Sequence, residues 1–247
     1  MEFVFGHYYF IRASWGARPE TPEALAARFL KNIDLLSAID PLLALWLSGV
    51  NGPKKLEAIR DRYAQIVAAR ISKDDWGEPE PIYGYSFGAI TGGHPCPLSY
   101  ALRIHAGGYI EGDDFQNAAE FATNSTCIPD PAAISYRIFQ AALLAIVEAW
   151  QPTDCFARPT GLIDLSPDTG DHFREAWMQY LSAPLAARIT PPQTAVIDRF
   201  PDGSLLMSAT TDTFDIANPA HLAVARDIGA AMAPLNELPW PSGHKAD

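Results

Sequence analysis

Little in this sequence supports a stapled, metal-bound or membrane-embedded chain. Only three of its 247 residues are cysteine, Cys96, Cys127 and Cys155, an odd number with no C-x-x-C pair. That excludes a disulfide-dense mini-domain and points to a reducing cytoplasm. The six histidines, at 7, 94, 105, 172, 221 and 244, form no H-x-x-x-H or H-E-x-x-H pair, so no metal site is expected. His7 reads as a core histidine on a strand and His221 as an exposed residue in the first turn of a helix. No Gly/Ser linker, charge block or repeat divides the chain, which leaves one domain over 1–247. The most apolar run, 141–150, is too short for a membrane span and contains Glu148. At the N-terminus, Met-Glu-Phe-Val-Phe-Gly-His carries an acid where a signal peptide carries bases, which argues against export by that route.

What is present suits a globular protein: 48% apolar, 11% aromatic and 19% charged residues. At this size roughly 70% of the chain's surface can be buried. The net charge is −11, and its placement matters more than its size. Residues 1–70 hold nine Lys/Arg against seven Asp/Glu, whereas 71–247 hold nine against 22. Between Ile104 and Tyr136 there are five acids and neither Lys nor Arg. Such a field opposes binding to nucleic acid or an anionic membrane and favours a basic partner, although any one charge run also serves as a solvated face.

Periodicity predicts the elements. Residues 3–12 alternate as a strand with two apolar faces, and Ser14 to Arg18 turn the chain. Thr21-Pro22-Glu23 starts a helix burying Leu25, Phe29, Ile33 and Leu36, which stops at Asp40-Pro41; an apolar turn through Trp46 ends at Gly49. Pro53 opens a second helix through Val67. Seven of the 17 glycines fall between Gly84 and Gly112, where 82–90, 99–106 and 117–122 read as antiparallel strands. Pro131 begins a buried helix to Trp150, and another helix is expected over 171–182. A hairpin turns at Pro201-Asp202-Gly203, and Asn218-Pro219 caps the last helix. The class is α+β: short, mostly antiparallel strands with helices packed on the sheet.

The sharpest catalytic pattern is Gly84-Tyr85-Ser86-Phe87-Gly88, a match to the G-x-S-x-G nucleophile elbow, with His105, His172 or His221 as candidate base. An elbow runs straight into a helix, whereas Gly92-Gly93-His94-Pro95 follows here, so Ser86 reads as a strand residue between glycines. Asp113-Asp114 could act as an acid–base pair, but neighbours on a Gly-rich loop usually both face water. Gly92-Gly93 and Gly107-Gly108 fit no phosphate loop. Tyr8, Tyr9, Trp15, Trp46, Tyr63 and Trp150 sit at core spacing rather than as a base-stacking platform. The residues alone describe an acidic domain that acts by binding, without catalytic residues, cofactor or metal.

The order of several short segments carries a resemblance. Tyr8-Tyr9-Phe10-Ile11-Arg12-Ala13-Ser14-Trp15-Gly16-Ala17-Arg18-Pro19-Glu20, then Asp40-Pro41 with Trp46 and Gly49, then Trp177-Met178-Gln179-Tyr180-Leu181-Ser182, then Pro201 to Leu206, Phe214-Asp215 and Asn218-Pro219-Ala220-His221, resemble the immunity protein 52 family of bacterial polymorphic toxin systems. The resemblance implies a cytoplasmic inhibitor of a cognate toxin, typically a nuclease of the restriction-endonuclease fold delivered by type VI secretion. It would occlude the active site or substrate groove, or bind elsewhere and block a conformational step. Glu111, Asp113 and Asp114, with Asp74 and Asp75 as a second cluster, are the candidate contacts to a basic nuclease. Trp15, Gly16 and Arg18 match the family motif and read as structural: a buried indole with its N–H satisfied, a turn glycine, and an arginine on nearby carbonyls or carboxylates. The alternative is a serine hydrolase using Ser86. Self-association is left open.

Overall fold

A computed structural model describes residues 8–49, 52–109, 117–165 and 170–238. Strand β1 (Tyr9–Trp15) continues through Ser14 and Trp15, past the expected turn, because both of its edges are paired that far, with Asn117 on one side and Asp154 on the other. Helix α1 (Pro22–Ser37) starts where Thr21 Oγ1 accepts from the Ala24 N–H at 3.3 Å, and its stripe Leu25, Phe29, Ile33 and Leu36 is buried. A 3-10 turn capped by Asp40 leads to β2 (Trp46–Ser48), β3 (Lys54–Lys55), a second 3-10 segment and α2 (Tyr63–Ala68). The helix expected from Pro53 is therefore delayed to Tyr63, since Lys54 and Lys55 pair with Ser48 and Leu47.

Next come β4 (Tyr85–Thr91), β5 (Tyr100–Ala106) and β6 (Asn117–Thr123), joined as a meander, and α3 (Tyr136–Trp150), capped by Ser135. The chain then forms β7 (Asp154–Pro159), α4 (Thr160–Leu165), β8 (Met178–Leu181), α5 (Ala183–Ala186), β9 (Val196–Arg199), β10 (Leu205–Ser208) and α6 (Pro219–Met232), capped by Asn218. The expected helix over 171–182 is overturned. Residues 178–181 are a strand between β7 and β10, and all four are buried.

Among the described residues the ten strands make one antiparallel sheet in the order β3-β2-β4-β5-β6-β1-β7-β8-β10-β9, so the fold is α+β. Its inner face carries Ile11, Phe87, Leu102 and Phe121, packed with the aromatics of α1, α2 and α3. Phe29 stacks on Tyr63 with ring centres 4.8 Å apart, and Phe139 meets Phe121 edge-on at 6.0 Å. The two halves of the outer face differ. Strands β8 and β10 are buried at every residue, which requires cover on both faces, and Phe10, Phe156 and Ala176 form a small outer core. Strands β4 and β5 instead alternate buried and open positions.

The cysteines, whose odd number pointed to a reducing cytoplasm, nevertheless include a bonded pair. Cys96 and Cys127 form a disulfide, and only Cys155 is free. The β5–β6 register explains the pairing. Tyr100 faces Thr123, so positions four residues beyond each strand end meet across the hairpin. A separation of 31 residues gives no hint of this until the register is known.

Candidate functional site

Side chains directly opposite in an antiparallel pair share a face. The register therefore places Ser86, Gly88 and Ile90 of β4, Ala101, Arg103 and His105 of β5, Ala118 and Glu120 of β6, and Arg12 of β1 together on the outer face. Because Gly88, Ala101 and Ala118 are small, the floor is low. With a wall from Leu47, Ile66 and Arg70 it forms a groove of about 840 Å³. Arg103 pairs with Glu120 at 2.9 Å, and Arg12 is exposed in mid-strand. Next to Arg12, Arg158 lies over the Phe156 ring at 4.5 Å; burial pushes its pKa down to about 10, which still leaves it charged at neutral pH.

Within the groove Ser86 Oγ lies 2.8 Å from His105 Nδ1. Burial, then the nearby Arg12 charge, holds the His105 imidazole below its ordinary value of 6.5, against a hydrogen bond with the Tyr83 backbone. A neutral imidazole is competent to accept the serine proton. The elbow, however, is absent: Ser86 belongs to β4, and no helix follows it. The Ser86 N–H donates to the Arg70 carbonyl at 3.0 Å and Phe87 is paired with Ile104, which leaves neither amide to build an oxyanion hole. Both glycines of the motif have sheet reasons to be there. Gly84 is left-handed at φ +74°, and a Cβ on Gly88 would sit 2.3 Å from the Leu102 carbonyl oxygen.

Asp74 and Asp75 lie on a turn of a short loop that crosses β4 at its start, through Ser72 N–H to Gly84 O at 2.8 Å. Asp74 Oδ1 accepts from the Trp76 and Glu78 amides at 3.0 and 2.8 Å, so this carboxylate shapes the turn, while Asp75 is exposed. Trp76 beside them is 86% exposed. Glu111, Asp113 and Asp114 lie outside the described residues. No group of three His, Cys, Asp or Glu side chains suited to a metal occurs among the described residues. No helix among them is long and apolar enough to cross a membrane.

Trp15 is 5% exposed and stacks on Trp150, with centres 5.5 Å apart and planes 19° from parallel. Its N–H has no hydrogen-bond partner among the described residues, contrary to expectation. The ring is fixed through its faces, by Trp150 and by Arg18 at 5.0 Å from the ring centre, and not through its edge. Arg18 donates to the Trp150 carbonyl and to Glu20, both at 2.9 Å. The Gly16 carbonyl accepts from Asn117 Nδ2 at 2.7 Å, and Asn117 also holds both backbone groups of Gly108. Of the three histidines offered as a base for Ser86, the structure brings His105 to it; sequence reasoning passed over Asn117, Arg12 and Arg103 as site residues. The alternation Tyr-Ala-Leu-Arg-Ile-His-Ala in β5 was the available signal of an uncovered face.

Two comparisons place the chain and one finds nothing. No curated protein matches it. Among solved structures, the Pseudomonas aeruginosa T6SS protein PA0821 shares the fold, with a TM-score of 0.51 at 11% identity, covering 94% of this chain and 75% of that one. A model of the family described as Immunity protein 52 matches residues 7–235, nearly the whole length. The chain belongs to the immunity protein 52 family.

Proposed function

We propose that this protein binds a cognate secreted bacterial toxin and neutralises it by occupying its active site or substrate groove. The family match over 7–235 carries the reading. In its finer form the toxin is a DNA-cleaving enzyme of the restriction-endonuclease fold, as the resemblance implies, delivered by type VI secretion; the fold shared with a T6SS protein supports the mode of delivery alone. A nuclease must present Lys and Arg to phosphate, so Asp74 and Asp75, with Glu111, Asp113 and Asp114, are the acids proposed to meet it. Protection against DNA cleavage belongs in the cytoplasm. The Cys96–Cys127 bond favours an oxidising setting. Direct hydrogen bonds between the same loops, Asn124 N–H to Ser99 O at 3.1 Å and Asp130 N–H to Pro97 O at 2.9 Å, hold them together when the bond is reduced. The test is co-expression with the toxin encoded beside this chain: survival of the cells and a co-purifying complex are expected, and neither appearing would refute the reading.

The Ser86–His105 contact supports a second reading, hydrolysis with Ser86 as nucleophile. A fluorophosphonate probe decides it. Labelling lost in Ser86→Ala supports the hydrolase, and an unlabelled wild-type protein removes it.

A further inference from the structure

We infer that the open outer face of β4, β5, β6 and β1, with Trp76 at its edge, is the surface that grips the toxin, and that its occupant is a carboxylate-bearing segment of that partner. The inference rests on the immunity reading and adds where contact is made and with what chemistry. The charge on this face runs against that of the chain. In a protein of net charge −11, three guanidiniums, Arg12, Arg70 and Arg103, line the groove against a single carboxylate, Glu120, which Arg103 already holds at 2.9 Å. Arg12 and Arg70 make no ion pair among the described residues, and a planar guanidinium is best satisfied by a carboxylate. About 840 Å³ of concavity over Gly88, Ala101 and Ala118 has room for several side chains of an extended segment.

Trp76 supplies the apolar anchor. It is 86% exposed, and its loop leaves a segment in which Arg70 and Ser72 bond to Ser86 and Gly84 at the start of β4, with Arg70 and Ser86 both lining the groove. Tryptophan and arginine are the residues that most often dominate interface energies. Asp74, Asp75 and Glu78 surround Trp76, so the segment that fits carries its acids over the floor and its bases toward the loop. Nucleic acid carries acids only and meets the negative field of the rest of the chain.

The experiment is a titration of purified protein with the inactivated toxin encoded beside it. Arg12→Glu/Arg70→Glu is expected to weaken binding at least about tenfold, more so at low salt. Ala101→Trp, which fills the floor without changing charge, is expected to do the same by bulk. Arg226→Glu on α6, exposed and outside the groove, leaves affinity unchanged. Unfolding midpoints accompany each variant, and Arg12→Gln/Arg70→Gln replaces the reversal if it does not fold. Unchanged affinity in the double variant overturns the assignment. So does normal binding by Ala101→Trp, which would mean the arginines act at a distance, and so does a short DNA duplex binding as tightly as the toxin. A wild-type chain that fails to bind the toxin overturns the immunity reading itself, a result distinct from these.

Discussion

Glu20 and the end of α3 are held by the same two arginines. Arg18 and Arg28 bind the Glu20 carboxylate at 2.9 and 2.6 Å and donate to the carbonyls of Trp150 and Ala149 at 2.9 Å each. These are carbonyls that no further helical turn can satisfy, at the negative end of the helix dipole. Arg18→Ala is expected to cost about 1.5 to 3 kcal/mol, and Trp15→Ala about 3 to 5 kcal/mol through lost packing and a cavity. Their sum should exceed the cost of the double variant, because the two side chains touch. Unfolding midpoints measured without toxin check both; Trp15→Ala with wild-type stability but lost binding would make it an interface residue. His105 gives a pH signature. Its folded-state pKa lies below 6.5, so the unfolded chain takes the proton more readily. The stability from the neutral ring is complete above about 6.5 and is lost as pH falls through the lower folded value. Urea midpoints between pH 7 and 5 should fall less steeply in His105→Gln than in wild type. Gly88→Ala should lose about 1 to 3 kcal/mol or more by overpacking against Leu102, while Ser86→Ala on the exposed side of the same strand should keep its midpoint.

The hairpin of β5 and β6 is where redox state enters. A cross-link closing a 31-residue separation is worth about 3 to 4 kcal/mol in the chain-entropy account. Reduction should lower the unfolding midpoint accordingly and leave far-UV dichroism unchanged, since the loop hydrogen bonds persist. Cys155 is fully buried, and burial followed by the Asp154 charge raises its thiol pKa well above the ordinary value, so native protein should resist alkylation. Alkylation in denaturant should then mark one thiol before reduction and three after it. Elements with a single buried face, α1, β4, β5 and α6, were legible from the sequence by the period of their kind, whereas the β9–β10 hairpin was legible by its Pro201-Asp202-Gly203 turn and β6 by the short apolar run after the glycines, both β6 and β10 being buried almost throughout. Strand β8 was not legible, because burial on both faces erases alternation and leaves a short apolar run that reads equally as helix. Strand β7 mixes Asp154 and Arg158 into Cys-Phe-Ala and hides for the same reason. The groove needed register: Ser86 and His105, or Arg103 and Glu120, become neighbours only once strands are paired.

On the scale of the molecule, opposite charges are separated in space, an acidic chain with a basic face. Association with a toxin of mixed charge should therefore slow as salt rises, with a smaller change in dissociation, as stopped-flow mixing at several ionic strengths would record. The sheet order has its own effect. The first strand made, β1, lies at the centre, between β6 and β7. A chain ended at Gln151 keeps β1 to β6 but leaves the β1 edge bare where β7 belongs, and it is expected in the insoluble fraction. A ribosome reading about 5 to 20 residues per second needs roughly 7 to 30 s to pass from the end of β1 to the end of β7. For that interval the nascent chain holds its central strand with one flank unclosed. Closure of the sheet about its central strand therefore waits until residues 154–159 have been made, and the early half of the chain must stay unpaired on that side until the later half arrives.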